Sequence, residues 1–147
     1  MSLDNLLKIK QLQVHKPSKE AMLRLLDAAK RNIADAHILA VSGENRFDAA
    51  YKCIMQCAML ALWLKGYRTS TSQPGHHHTA IQTLTLTIGL AQSTVIVLDA
   101  LRKQRNVSDY EGDPISDQAV TECIKQAETL YQTMLDWIKA NHSDLSP

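Results

Sequence analysis

The chain has 147 residues, 45% of them hydrophobic and 21% charged, with a formal net charge of +1. That length fits one domain with a real core, and that composition excludes a disordered chain. The balanced charge excludes nucleic-acid binding through bulk charge, so any such binding must rest on a local patch.

Glycine and proline fall almost only at candidate breaks: Pro17, Gly43, Gly66, Pro74, Gly75, Gly89, Gly112 and Pro114. Between them, apolar residues recur at helical spacing. Residues 3–12 read as a short helix, and Pro17 with Ser18 suits the start of the next. Met22, Leu25, Leu26, Ala29, Ile33, Ala36 and Ala40 lie at steps of three and four, which predicts a long amphipathic helix over 19–41. Asn45 is a candidate cap for a helix from 46 to about 65, with Asp48 as its acidic third residue. Phe47, Tyr51, Ile54, Ala58 and Leu62 share one face of that helix, and Met55, Met59 and Trp63 widen it. It is therefore expected to be the most buried helix.

The segment "GYRTSTSQPGHHH" reads as a loop, and "TAIQTLTLTIG" as a short helix whose threonines also permit extended structure. Residues 93–110 form another expected helix with Ser93 as cap, and "EGDPIS" a turn. Ser116 caps the last helix, in which Val120, Cys123, Ile124, Ala127, Leu130, Tyr131, Met134, Trp137 and Ile138 form the most regular stripe of the chain. The expected fold is all-α, an up-and-down bundle of four long helices plus one or two short ones, in a single domain over 1–147 with its core at 19–140.

The longest apolar run, Ile54 to Leu64, is too short to span a bilayer, which needs about 20 residues. The N-terminus is amphipathic and broken by charges, unlike a signal peptide. Three cysteines, an odd number, in a chain large enough to fold without disulfides point to a reducing, cytoplasmic setting. No membrane contact and no cofactor are expected.

The stretch "DALRKQRNVSDYEGDP", Asp99 to Pro114, carries the chemistry. Val95, Leu98, Arg102, Arg105 and Asp109 fall at steps of three and four and share one helix face. That face is apolar at its start and charged at its end, so both arginines continue a core-facing stripe. A buried arginine costs several kcal/mol, order of magnitude, unless paired, and Asp109 is the local partner. Two readings stay open. One is a solvated helix end, with cations against the macrodipole. The other is a phosphate site, with Arg102 and Arg105 as the anion holders and Asn106 and Tyr110 as orienting groups. A dimer that juxtaposes two Arg105 side chains in an open basic cleft would favour a functional site; an Arg105 closed into a salt bridge with Asp109 and shielded from solvent would favour a structural bundle with no ligand.

"RNVSDY", Arg105 to Tyr110, following an apolar helix, resembles the signature of HEPN domains. That signature is an arginine, a polar residue, and a histidine after a short variable spacer. Arg105 matches the arginine and Asn106 the polar residue, while Tyr110 stands where the shortest spacing would place histidine. A subgroup similar to this sequence carries Asp-Tyr there. "RFDAAYKCIMQCAMLALWLKGY", residues 46–67, resembles the family's alanine-rich helix, with Tyr51 at its Ala-Tyr. Helix order and length agree over roughly 20–140; the sequence-specific part is about ten residues.

The resemblance implies a HEPN-like bundle that acts on RNA as a homodimer. Many members are metal-independent ribonucleases and serve as toxins of prokaryotic toxin–antitoxin pairs, beside a minimal nucleotidyltransferase antitoxin. In such cleavage a base takes the ribose 2′-hydroxyl proton, an acid protonates the leaving oxygen and arginine stabilises the phosphorane. Histidine, with an ordinary pKa of about 6.5, suits this; tyrosine, near 10, does not. A non-catalytic HEPN module that binds a protein partner or nucleotide is the alternative, and a purely structural bundle is a third.

The run His76-His77-His78 precedes a helix. Adjacent histidines point in different directions, so a preformed metal site is not expected. A surface or capping role is the plain reading; the sharper one has a histidine, His77 among them, reach the Arg105 cleft in place of the missing motif histidine. Cys53 and Cys57 are one turn apart on the central helix and read as core. Tyr51 is expected either to reach the cleft or to fill the core.

Overall fold

A computed structural model describes residues 1–145; the last two residues of the expected domain lie outside the described residues. The chain folds as an all-α helical bundle with one small sheet. In order it forms α1 (Leu3–Lys8), β1 (Leu12–Val14), α2 (Lys19–Ala36), α3 (Gly43–Leu64), β2 (Tyr67–Thr69), α4 (His76–Gln82), α5 (Leu84–Thr87), α6 (Gln92–Glu111) and α7 (Asp117–Asn141), then a 3-10 turn (Ser143–Leu145).

The four long helices stand where the periodicity put them. Three of their starts are set by serines whose hydroxyls accept a backbone N–H one turn on, satisfying an otherwise orphaned donor. Ser18 accepts from Ala21 N and Ser116 from Ala119 N, both at 3.1 Å. The cap of α3 is Ser42, not Asn45: its Oγ accepts from Asn45 N at 3.3 Å. Asn45 is thus the third helical residue, and Asp48 is released for another role. Nor does Ser93 cap α6. That helix starts one residue earlier after Ala91, with no side-chain cap, and Ser93 lies in its first turn.

α2 ends at Ala36, short of the expected 41. His37 N and Val41 N close turns onto Ala34 O and Ile38 O, and Leu39 is left 81% exposed. The apolar spacing ran on, but the chain must turn there to bring α3 back. The first helix likewise stops at Lys8. Lys10 adopts φ 64°, a left-handed conformation uncommon outside glycine, and redirects the chain into β1. β1 pairs antiparallel with β2, with Leu12 opposite Thr69 and Val14 opposite Tyr67. Leu12 is 1% exposed, so the strand is pinned by a core side chain. This sheet was not expected: its partners lie more than fifty residues apart, and each alone reads as helix tail or loop.

α3 is the centre of the fold. It packs on α2 and α7 on one side and on α4, α5 and α6 on the other. Phe47, Ala50, Cys53, Ile54, Ala58, Ala61 and Leu62 are fully buried along it. By length and composition α3 could cross a membrane, but most of that stretch is buried inside the bundle, the environment of a core helix. Trp63, expected in the core, is only half-buried and Met59 is 36% exposed. Both lie at the β-sheet end, where a cavity remains between His15, Pro17, Ala21 and Arg68.

Candidate functional site

Three helices meet at one polar cluster. α6 enters it with Val95, Leu98 and Leu101 buried, which fixes the rotation of the helix. One turn further on, the same face carries Arg102 and Arg105, whose side chains are 18% and 26% exposed. The stripe therefore continues inward as its spacing predicts. α6 ends at Gly112, φ 72°, where a left-handed residue lets Gly112 N reach Ser108 O.

α3 supplies Asp48 and Tyr51, adjacent on one face. α4 supplies the histidines. It starts after Gly75, whose φ of 75° closes the Pro74-Gly75 turn, and buried Ala80, Ile81 and Leu84 pin α4 and α5 to the core. The histidine run is thus the first turn of a helix rather than the end of a loop.

Asp99 and Asp48 organise the cations. The Asp99 carboxylate, 8% exposed as a residue, accepts from Arg102 Nε at 2.8 Å and from His78 Nδ1 at 3.0 Å, both at Oδ1. Lys103 Nζ lies 3.7 Å from its Oδ2. Burial alone would raise the Asp99 carboxyl, but the hydrogen bonds from Arg102 and His78 outweigh it and hold it below the usual carboxylate range. Asp99 is therefore ionised at neutral pH and can only accept, so His78 Nδ1 carries the proton. Arg105 Nε is shared between Asp48 Oδ1 at 3.3 Å and Asp109 Oδ2 at 3.0 Å.

Tyr51 lies beneath Arg105, with the guanidinium carbon 5.3 Å from the ring centre, a cation–π arrangement. The tyrosine is 2% exposed, and its hydroxyl lies 3.3 Å from His77 Nδ1. It thus fills the core and reaches the cluster at once. Burial pushes the phenol up to about 12, against the pull of Arg105 and Arg102. His77 is shifted the other way. Burial, then the neighbouring His76 and the charges of Arg105 and Arg102, hold its imidazole below the ordinary value of 6.5. His76 sits edge-on to His77 at 4.5 Å between ring centres.

The arrangement joins Arg102, Arg105, Asp109, Tyr51 and His77, all singled out by sequence. It leaves two others at the margin. Tyr110 is 85% exposed, and Asn106 is half-buried. Neither makes a side-chain hydrogen bond to the cluster among the described residues. Three members were missed. Asp48 was read as a capping-box acid; its tie to Arg105 spans 57 positions. His78 was one of three undifferentiated histidines. Asp99 did leave a signal: an acid on the buried side of α6, three residues before Arg102.

Arg105 is paired with Asp109 but not shielded from solvent, its side chain being 26% exposed. Among the described residues no group of three His, Cys, Asp or Glu side chains is arranged to hold a metal ion. A cavity of about 590 Å³ lies elsewhere, lined by Lys30, Glu128, Tyr131 and Asp136 of α2 and α7. Comparison of the chain with protein-family models, with curated proteins and with solved structures returns no match.

Proposed function

We propose that this chain is a HEPN-like, RNA-directed protein of the cytoplasm that cleaves RNA without a metal ion, as the toxin of a prokaryotic toxin–antitoxin pair. The observation that carries the reading is the placement of His77. It comes from α4, yet its ring meets Tyr51 directly beneath Arg105. Tyr51 thereby links an imidazole at its hydroxyl to Arg105 over its ring, although the position matching the motif histidine holds Tyr110. Its lowered pKa keeps it neutral near pH 7, the state a general base requires. In this reading His77 Nδ1–H donates to the Tyr51 oxygen, and Nε2 offers its lone pair to a ribose 2′-hydroxyl. Arg105 holds the phosphate and steadies the charge that develops on it, with Arg102 assisting. Asp48 and Asp109 keep Arg105 in place until a phosphate competes for it.

A homodimer belongs to this reading. Ile96, Ala100, Lys103, Val107 and Tyr110 recur at steps of three and four on the exposed side of α6, and Ile96, Val107 and Tyr110 are 61%, 43% and 85% exposed. Paired along this stripe, two copies would bring each Tyr110, with Asn106 one turn before it, toward the partner's phosphate site. The partner outside the pair would be a minimal nucleotidyltransferase acting as antitoxin. Three free, buried thiols agree with a reducing compartment.

The test is expression of the wild type against Arg105→Ala and His77→Ala, scored for growth arrest and RNA decay, with cleavage by purified protein assayed in excess chelator. The reading requires the wild type to be active and both variants to be inert. Equal behaviour of all three removes it. One observation favours a second reading, a non-catalytic module that binds a protein partner or nucleotide: Arg105 is already held by two carboxylates. That module would bind with wild-type affinity in His77→Ala and cleave nothing.

A further inference from the structure

His77 and His78 are consecutive on α4 but are anchored to different helices. His77 meets Tyr51 of α3, and His78 meets Asp99 of α6. One short helix thus presents two imidazoles with two different fixtures. Only the first is used by the base just described.

The second fixture has a defined chemistry. The Asp99 carboxylate accepts from His78 Nδ1 at 3.0 Å, which fixes the tautomer and the ring. His78 Nε2 makes no hydrogen bond among the described residues, and the side chain is 48% exposed. When His78 carries both protons, its Nδ1–H lies against Asp99 as an ion pair, and Nε2–H is left to donate outward. Arg102 and Lys103 face the same carboxylate, so an incoming phosphodiester drawn to these cations is brought beside His78. A carboxylate holding an imidazole by one nitrogen while the other faces the substrate is the arrangement that lets histidine give or take a proton at a fixed point.

We propose that His78, positioned by Asp99, is the general acid that protonates the leaving 5′-oxygen when RNA is cleaved at this site. This rests on the ribonuclease reading and completes it. The ribose 2′-oxygen forms a bond to phosphorus as its proton passes to His77 Nε2. The bond from phosphorus to the 5′-oxygen breaks as that oxygen takes the proton from His78 Nε2. The products are a 2′,3′-cyclic phosphate and a free 5′-hydroxyl. His77 ends protonated and His78 neutral, and exchange with water restores both. Asp99 touches no reacting atom and is a positioning residue.

The experiment compares two ribodinucleotides, one with the ordinary bridging 5′-oxygen and one with sulfur in its place. A thiolate leaves without needing a proton, so only loss of the acid is relieved by sulfur. His78→Ala is expected to slow cleavage of the oxygen substrate by about 10²–10⁴-fold and to regain most of that on the sulfur substrate. His77→Ala is expected to stay slow on both. Asp99→Asn is expected to follow His78→Ala, with a smaller loss and the same relief by sulfur. If His78→Ala cleaves both substrates at the wild-type rate, or is equally slow on both, the assignment of the acid is overturned while the ribonuclease reading stands. If the wild type cleaves neither, both are overturned. His78 is a half-exposed side chain, and matching thermal melts of the variant and wild type establish that folding is intact.

Discussion

α6 and α7 are both long, and each starts by burying an apolar residue at every turn. α7 continues that way from Val120 to Ile138. α6 stops after Leu101, and the positions that would extend its stripe hold Arg102 and Arg105. The same face geometry thus serves two ends. In α7 it locks the helix to α3 by burial. In α6 it carries charge into a half-buried place where ion pairs and a tyrosine ring receive it. Burial of this kind is worth about 25 cal/mol per Å² of apolar surface, whereas partly exposed ion pairs give little. The end of α6 is therefore a poor investment for stability, which is the usual mark of a segment kept for another purpose.

The sharpest way to break this comparison is to remove one residue from each helix. Arg105→Ala should lower the proposed RNA cleavage by about 10²–10³-fold, the usual effect of losing one charge-stabilising donor, and should cost no more than about 1 kcal/mol of stability. Kinetics and a denaturant melt on one preparation read both. A loss of stability equal to that of a core deletion would make Arg105 a structural residue and the contrast empty. Met134→Ala, in the stripe of α7 and fully buried, should do the reverse. It should lower stability by about 2–5 kcal/mol and leave cleavage unchanged below its melting temperature.

Ser116→Ala sharpens the same contrast at smaller scale. The hydroxyl caps α7 at 3.1 Å, and its loss should cost about 1 kcal/mol. The start of α6 has no side-chain cap to lose, so Ser93→Ala should be silent in the same melt. The smallest effect concerns pH. His77 binds its proton less readily folded than unfolded. Below the ordinary histidine value the unfolded chain takes up a proton that the fold refuses, so stability is complete above about 6.5 and falls as pH drops toward the folded value. His77→Gln should flatten that part of a stability–pH curve. An unchanged slope would show that His77 is not held among Tyr51 and the arginines in solution.

Much of this could be read locally. The three-and-four spacing gave the four long helices, the serine before α7 gave its start, and the stripe from Val95 to Asp109 gave the inward turn of both arginines. What could not be read was non-local. The strands Leu12–Val14 and Tyr67–Thr69 are each three residues, too short to show alternation, and neither is stable without the other. The partner of Arg105 is 57 residues away on α3, and that of Tyr51 is 26 residues away on α4. Asn45 was the expected cap of α3, and the point where the chain leaves the α2–α3 turn gave that place to Ser42 instead.

By itself, then, the sequence determined the helices and which face of each turns inward, because side-chain spacing and backbone periodicity are properties of neighbouring residues. Only the tertiary structure decided that His77 meets the hydroxyl of the tyrosine beneath Arg105, and that one carboxylate, Asp99, holds His78, Arg102 and Lys103 together. Those contacts depend on where α4 is pinned between α3 and α6. That is fixed by Ala80, Ile81 and Leu84 sinking into a core built by the rest of the chain.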